Sequence, residues 1–188
     1  FGVLASEKVF VSRDYHFNKV KTFHHMMDER TQEEPRAWDL EGATHRAGFK
    51  IEELVEFVRA ASPSEEDFGQ ALSQLHQALD KAADKVAKKT PAQQDLIGQV
   101  DALIDTLYFT YGSFVLMGVD PERIFDIVHQ ANMGKIFPDG KAHFDPVTHK
   151  ILKPDDWEEK YAPEPAIKKE LQRQLKAYER HKERNNTQ

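Results

Sequence analysis

The chain has 188 residues, 39% of them hydrophobic and 31% charged, with a formal net charge of −6 and no cysteine. That length suffices for one domain with a sizeable core. The missing cysteine excludes disulfides, thiolate metal sites and a cysteine nucleophile, and the acidic balance argues against general nucleic-acid binding.

Residues 1–15 are β-branched or aromatic in places (Val9, Phe10, Val11) but too few to build a sheet alone. They hold no basic region followed by a short apolar core, so no signal peptide is expected and the cytoplasm is the expected compartment. Spacing of Val20, Phe23, Met26 and Met27 by three to four residues predicts a helix over 18–29, and Pro35, Trp38 and Gly42 mark a loop over 30–43. A second helix is expected over 44–61. Ser62-Pro63-Ser64-Glu65 reads as an N-cap, a proline at the first helical position and a capping-box acid, opening a helix to about Lys89. Thr90-Pro91-Ala92-Gln93 repeats that signal before the most apolar stretch, Leu96 to Met117, with Gly118 as its C-cap. Asp120-Pro121 opens another helix that stops at Gly134. Five prolines and an Asp139-Gly140 turn mark an arm over 136–165, with a short hairpin expected between 141–144 and 150–152. A C-terminal helix over 166–184 completes an all-α helical bundle, read as a single domain over 1–188 with its core at about 16–135.

The apolar stretch carries two aspartates, Asp101 and Asp105, which together with a glutamine exclude a membrane span. On a helix Leu103, Ile104, Leu107, Tyr111, Phe114 and Val115 form its main apolar face, and Phe109 and Leu116 continue the apolar surface round the other side. A helix so apolar is expected to be buried, and an ionised carboxylate buried without a partner costs several kcal/mol. A bound cation is the simplest remedy. Upstream, Glu52 and Glu56 stack one helical turn apart, and Glu53 faces Glu56. Alone this is ordinary amphipathicity, with Ile51, Leu54, Val55 and Val58 on the opposite face. If the two helices pack antiparallel, three glutamates meet two aspartates. Mg²⁺ or Mn²⁺, which prefer oxygen ligands, would relieve the repulsion.

The Glu52-Glu53-Leu-Val-Glu56 motif, followed by an acidic pair on a later helix, resembles the all-α NTP pyrophosphohydrolases, the superfamily of MazG, the dimeric dUTPases and phosphoribosyl-ATP pyrophosphohydrolase. The resemblance spans about 23–153. It implies a Mg²⁺-dependent enzyme, with Mn²⁺ as a possible substitute, that cleaves a nucleoside triphosphate between its α- and β-phosphates to a monophosphate and pyrophosphate. Glu53, Glu56, Asp101 and Asp105 would then hold metal, and Glu52 would orient or deprotonate the attacking water. The usual second motif is ExxD, but Ala102 and Gly98 occupy the two possible Glu positions, leaving DxxxD. Relatives also carry an NxxK segment, a DGK turn and a further lysine. Asn132, Lys135, Asp139-Gly140-Lys141 and Lys153 match that shape, so Asn132, Lys135 and Lys153 are the expected phosphate contacts. The competing reading is a lysine favouring a helix dipole and a loop lysine in water. Arg46, six residues before the first motif, could reach a phosphate or pair with a glutamate.

Two other readings compete. A carboxylate-bridged di-iron or di-manganese bundle needs two ExxH-like pairs, and Asp126-Ile-Val-His129 is the single near match. A non-catalytic helical interaction module would tolerate an apolar residue at Asp101. Neither a P-loop nor a GxSxG elbow is present. Residues 166–188 carry seven Lys or Arg against three Glu, which reads as a solvated helix or a contact for nucleic acid or a partner. A homodimer or homotetramer is expected, because the apolar helix surface exceeds what one bundle hides and related enzymes pair bundles.

Overall fold

The structure, a computed structural model, describes residues 12–28, 32–91 and 93–187. Val9 to Val11, Glu29 and Ala92, on which some expectations above rest, lie outside them. Among the described residues seven helices follow in order: α1 Tyr15–Met27, α2 Leu40–Ala61, α3 Glu65–Val86, α4 Leu96–Met117, α5 Glu122–Met133, α6 Trp157–Tyr161 and α7 Glu164–Asn186. Among the described residues no sheet forms. The expected hairpin reduces to one antiparallel bridge between Phe144 and Ile151. The chain is an all-α helical bundle.

Side-chain caps set most helix starts. Asp14 accepts from the Phe17 N–H at 3.0 Å and Asp39 from the Gly42 N–H at 2.7 Å, each satisfying a donor that the first turn leaves open. The cap of α3 is Ser64 rather than Ser62: Ser64 Oγ accepts from the Asp67 N–H at 3.1 Å and donates to Asp67 Oδ2 at 2.7 Å. Ser62 closes α2 instead, its hydroxyl donating back to the Val58 carbonyl at 2.7 Å. At α4 the side-chain cap is Asp95, accepting from the Gly98 N–H at 2.9 Å. Gly118 ends α4 as expected, with φ +70° and the Val119 N–H donating to the Phe114 carbonyl at 3.0 Å. The arm holds a helix the sequence pattern did not reveal, α6, whose five residues are too few to show a period.

The chain divides into two compact units. One comprises the residues before 35 together with those from 107 onward, and in it α5 packs against α1 and α7. It holds the buried residues Ala131, Trp157 and Glu170. The other comprises residues 35–106, where α2 packs against α3 and no described side chain is fully buried.

The expectation that α4 is buried is corrected. Ile97 is 84% exposed and Leu116 91%. Among the described residues the larger helix contacts are α1 with α5, α5 with α7 and α2 with α3, and most of the apolar circumference of α4 is left uncovered.

Candidate functional site

Glu52, Glu53 and Glu56 lie exposed on α2, and Asp101 and Asp105 lie exposed on the first half of α4. None of these carboxylates takes part in an ion pair or hydrogen bond among the described residues. The Trp38 main chain ties the entry of α2 to the first turn of α4: its N–H donates to Gln99 Oε1 at 2.9 Å, and its carbonyl accepts from Gln99 Nε2 at 3.0 Å. Glu52 lies twelve residues into α2 and Asp101 five into α4. At about 1.5 Å per residue they stand roughly 18 Å and 8 Å from their helix starts. Among the described residues no three His, Cys, Asp or Glu side chains gather closely enough to hold a metal ion. The antiparallel meeting of acids expected from the sequence is therefore not assembled within the single chain, where the helix partner of α2 is α3. The apolar stripes beside the acids stay uncovered, at Ile51 and Leu54 on α2 and at Leu103 and Ile104 on α4.

Arg46 is half-buried on α2, its guanidinium 5.5 Å from the centre of the Phe49 ring. Its carbonyl accepts from Lys50 Nζ at 3.2 Å. Burial, and then the neighbouring Arg46 charge, push the Lys50 ammonium below its usual pKa. Lys50 is a second cation that the motif spacing did not single out.

The phosphate-side candidates lie in the other unit. Lys135 Nζ donates to Asn132 Oδ1 at 3.0 Å, bridging the last turn of α5. Lys153 comes from the arm and sets its ammonium 4.1 Å from the centre of the Trp157 ring, with Lys135 Nζ 6.0 Å from the same ring. Trp157 is 6% exposed, and its indole N–H donates to the Ala131 carbonyl at 2.8 Å. Gly134 is buried as well, and a methyl group there would collide with the Tyr161 ring. Trp157 and Tyr161 were missed in the sequence; a tryptophan within a proline-rich arm was the available signal.

On the far side of α5, Asp126 accepts from the Tyr15 hydroxyl at 3.2 Å and pairs with Lys19 at 3.3 Å. Burial, followed by the Lys19 charge, lowers the pKa of His129, one turn further along. This pins α1 to the helix that carries Asn132.

The model of the phosphoribosyl-ATP pyrophosphohydrolase family matches residues 20–132. The chain belongs to that family, within the MazG-like all-α NTP pyrophosphohydrolases. A crystal structure from Exiguobacterium sp. 255-15, of a protein assigned as an NTP pyrophosphohydrolase, is similar to it at 38% identity and a TM-score of 0.81, over 89% of this chain and 99% of that one. Among curated proteins no match is found. The family match takes in α2 to α4, hence all of the acids named above, and ends at Asn132. Lys135, Lys153 and Trp157 follow it in the chain. No helix among the described residues is long and apolar enough to cross a membrane.

Proposed function

We propose that this protein is a Mg²⁺-dependent nucleoside triphosphate pyrophosphohydrolase that cleaves between the α- and β-phosphates and releases NMP or dNMP with pyrophosphate. The observation that carries this reading is the set of carboxylates at 52, 53, 56, 101 and 105, which falls inside the family match and is unpartnered on α2 and α4. The similar Exiguobacterium protein, assigned as an NTP pyrophosphohydrolase, supports the same class of reaction.

Glu53, Glu56, Asp101 and Asp105 form an oxygen-only donor set free of internal ion pairs, which suits a hard cation such as Mg²⁺, with Mn²⁺ as a substitute. Brought together, these acids would hold Mg²⁺, which would supply polarisation of a phosphoryl group and a lowered pKa for water. The chain's own groups do the rest. Glu52 orients or deprotonates the attacking water. Asn132 donates its amide to the phosphate chain, and the ammonium groups of Lys135 and Lys153 stabilise its negative charge. Arg46 offers a guanidinium to substrate.

A homodimer or homotetramer is part of this reading. The exposed stripe on α4, with Tyr108 78% and Phe109 77% exposed, is larger than isolated proteins usually tolerate. A monomeric mass by light scattering would overturn it.

The decisive experiment incubates the protein with Mg²⁺ and a panel of NTPs and dNTPs and identifies the products by chromatography. Monophosphate and pyrophosphate are expected. Diphosphate with orthophosphate, or no turnover with either Mg²⁺ or Mn²⁺, would sink the proposal.

A further inference from the structure

Beyond the acids and the NxxK segment, the arm builds an aromatic platform behind the lysines. Trp157 is nearly sealed from solvent, and its one polar atom is spent on the Ala131 carbonyl at 2.8 Å. That carbonyl belongs to the last turn of α5, where the helix leaves acceptors unmatched. The indole thus fixes α6 to the end of α5, and the Gly134–Tyr161 contact does the same one turn along: Gly134 has an ordinary helical φ of −65°, so its missing side chain serves close approach rather than backbone freedom. The ring anchored this way lies 4.1 Å from Lys153 Nζ and 6.0 Å from Lys135 Nζ. Lys153 makes no ion pair among the described residues, so the indole face is its evident partner. Two ammonium groups from different parts of the chain thus lie against one anchored ring.

We infer that Trp157 is a positioning residue: it holds Lys135 and Lys153 ready for one polyphosphate, so that binding does not have to immobilise two long side chains from different parts of the chain. The inference rests on the functional reading above and assigns the arm a part in it. The ring itself need not touch substrate. It lowers the ordering cost of the lysines, and any aromatic face in its place does much of the same.

The test uses the full chain with inorganic pyrophosphate as the probe. Trp38→Phe leaves Trp157 as the sole tryptophan, so emission excited at the indole band reports this ring alone. Pyrophosphate is expected to change that emission along the same curve that calorimetry gives for binding, because an anion held by the two ammonium groups alters the electric field at the ring. Trp157→Leu is expected to weaken pyrophosphate binding about 10-fold, as expected when flexible side chains must be ordered on binding, and Trp157→Phe to restore most of it. An emission that stays flat while pyrophosphate binds, or a Trp157→Phe variant that is folded by circular dichroism yet binds as weakly as Trp157→Leu, would overturn the positioning role and leave the pyrophosphohydrolase reading intact. Should Trp157→Leu not fold, the emission titration and the Trp157→Phe affinity still decide. A wild-type chain that binds no pyrophosphate would overturn both.

Discussion

The two units of this molecule solve the problem of holding functional groups in opposite ways. In the unit that carries Asn132, Lys135 and Lys153, specific contacts lock each element: the Trp157 N–H on the Ala131 carbonyl, Gly134 against Tyr161, and Glu170 held by Arg173 through contacts of 2.9 and 2.7 Å. In the unit that carries Glu52, Glu53, Glu56, Asp101 and Asp105, the acids stand in solvent beside uncovered apolar stripes. Exposed carboxylates cost little while water solvates them, and exposed leucines and isoleucines cost much. Uncovered apolar surface continues into the first unit along the second half of α4, at Tyr108, Phe109 and Leu116, so both units call for protein surface, and the second calls in addition for a cation for its acids.

The sharpest way to break this comparison is at the acids. Glu56→Gln removes a charge from a group with no protein partner, so it should leave folding intact by circular dichroism while lowering turnover by at least about 100-fold, as loss of a metal-held or proton-transferring group does. Full turnover in that variant would show the acids to be ordinary surface charge. A smaller effect separates the packing of the units. Gly134→Ala forces a methyl into the Tyr161 ring and should cost about 1–3 kcal/mol in urea unfolding. Gly48→Ala on α2, where no atom lies within 4 Å of the added carbon, should instead stabilise by about 0.5–1 kcal/mol through helix propensity. Equal signs for the two would erase the contrast.

The last prediction concerns acid. The Arg173 guanidinium, helped by Gln174 and Arg123, holds the Glu170 carboxyl down to about 2 from an ordinary 4.5. A depressed acid contributes stability that is fully present above the unfolded value and is lost as pH falls through the folded one. Melting of the wild-type chain should therefore fall more between pH 4.5 and 2 than melting of Glu170→Gln, which lacks the titrating group. Parallel curves would show that the ion pair does not couple α7 to stability.

Much of the helical framework was legible because its signals are local. The Leu96 to Met117 run and the glycine at 118 located α4, and Asp120-Pro121 located the start of α5. Where the frame slipped, as at Ser64 in place of Ser62, a reciprocal bond with Asp67 outweighed the proline pattern. The two acidic motifs and the NxxK segment could be read from spacing and resemblance, and the family match bears out the resemblance.

Sequence alone determined the helical class, the family and which residue types could do chemistry, because periodicity, caps and short motifs act within one or two turns. Tertiary structure decided the rest. It showed that α4 is uncovered rather than buried within one chain, since burial depends on which helices turn toward it and not on its own composition. It also set Lys135 and Lys153 beside one buried indole, a meeting of residues from the end of α5 and from the arm that no local pattern encodes.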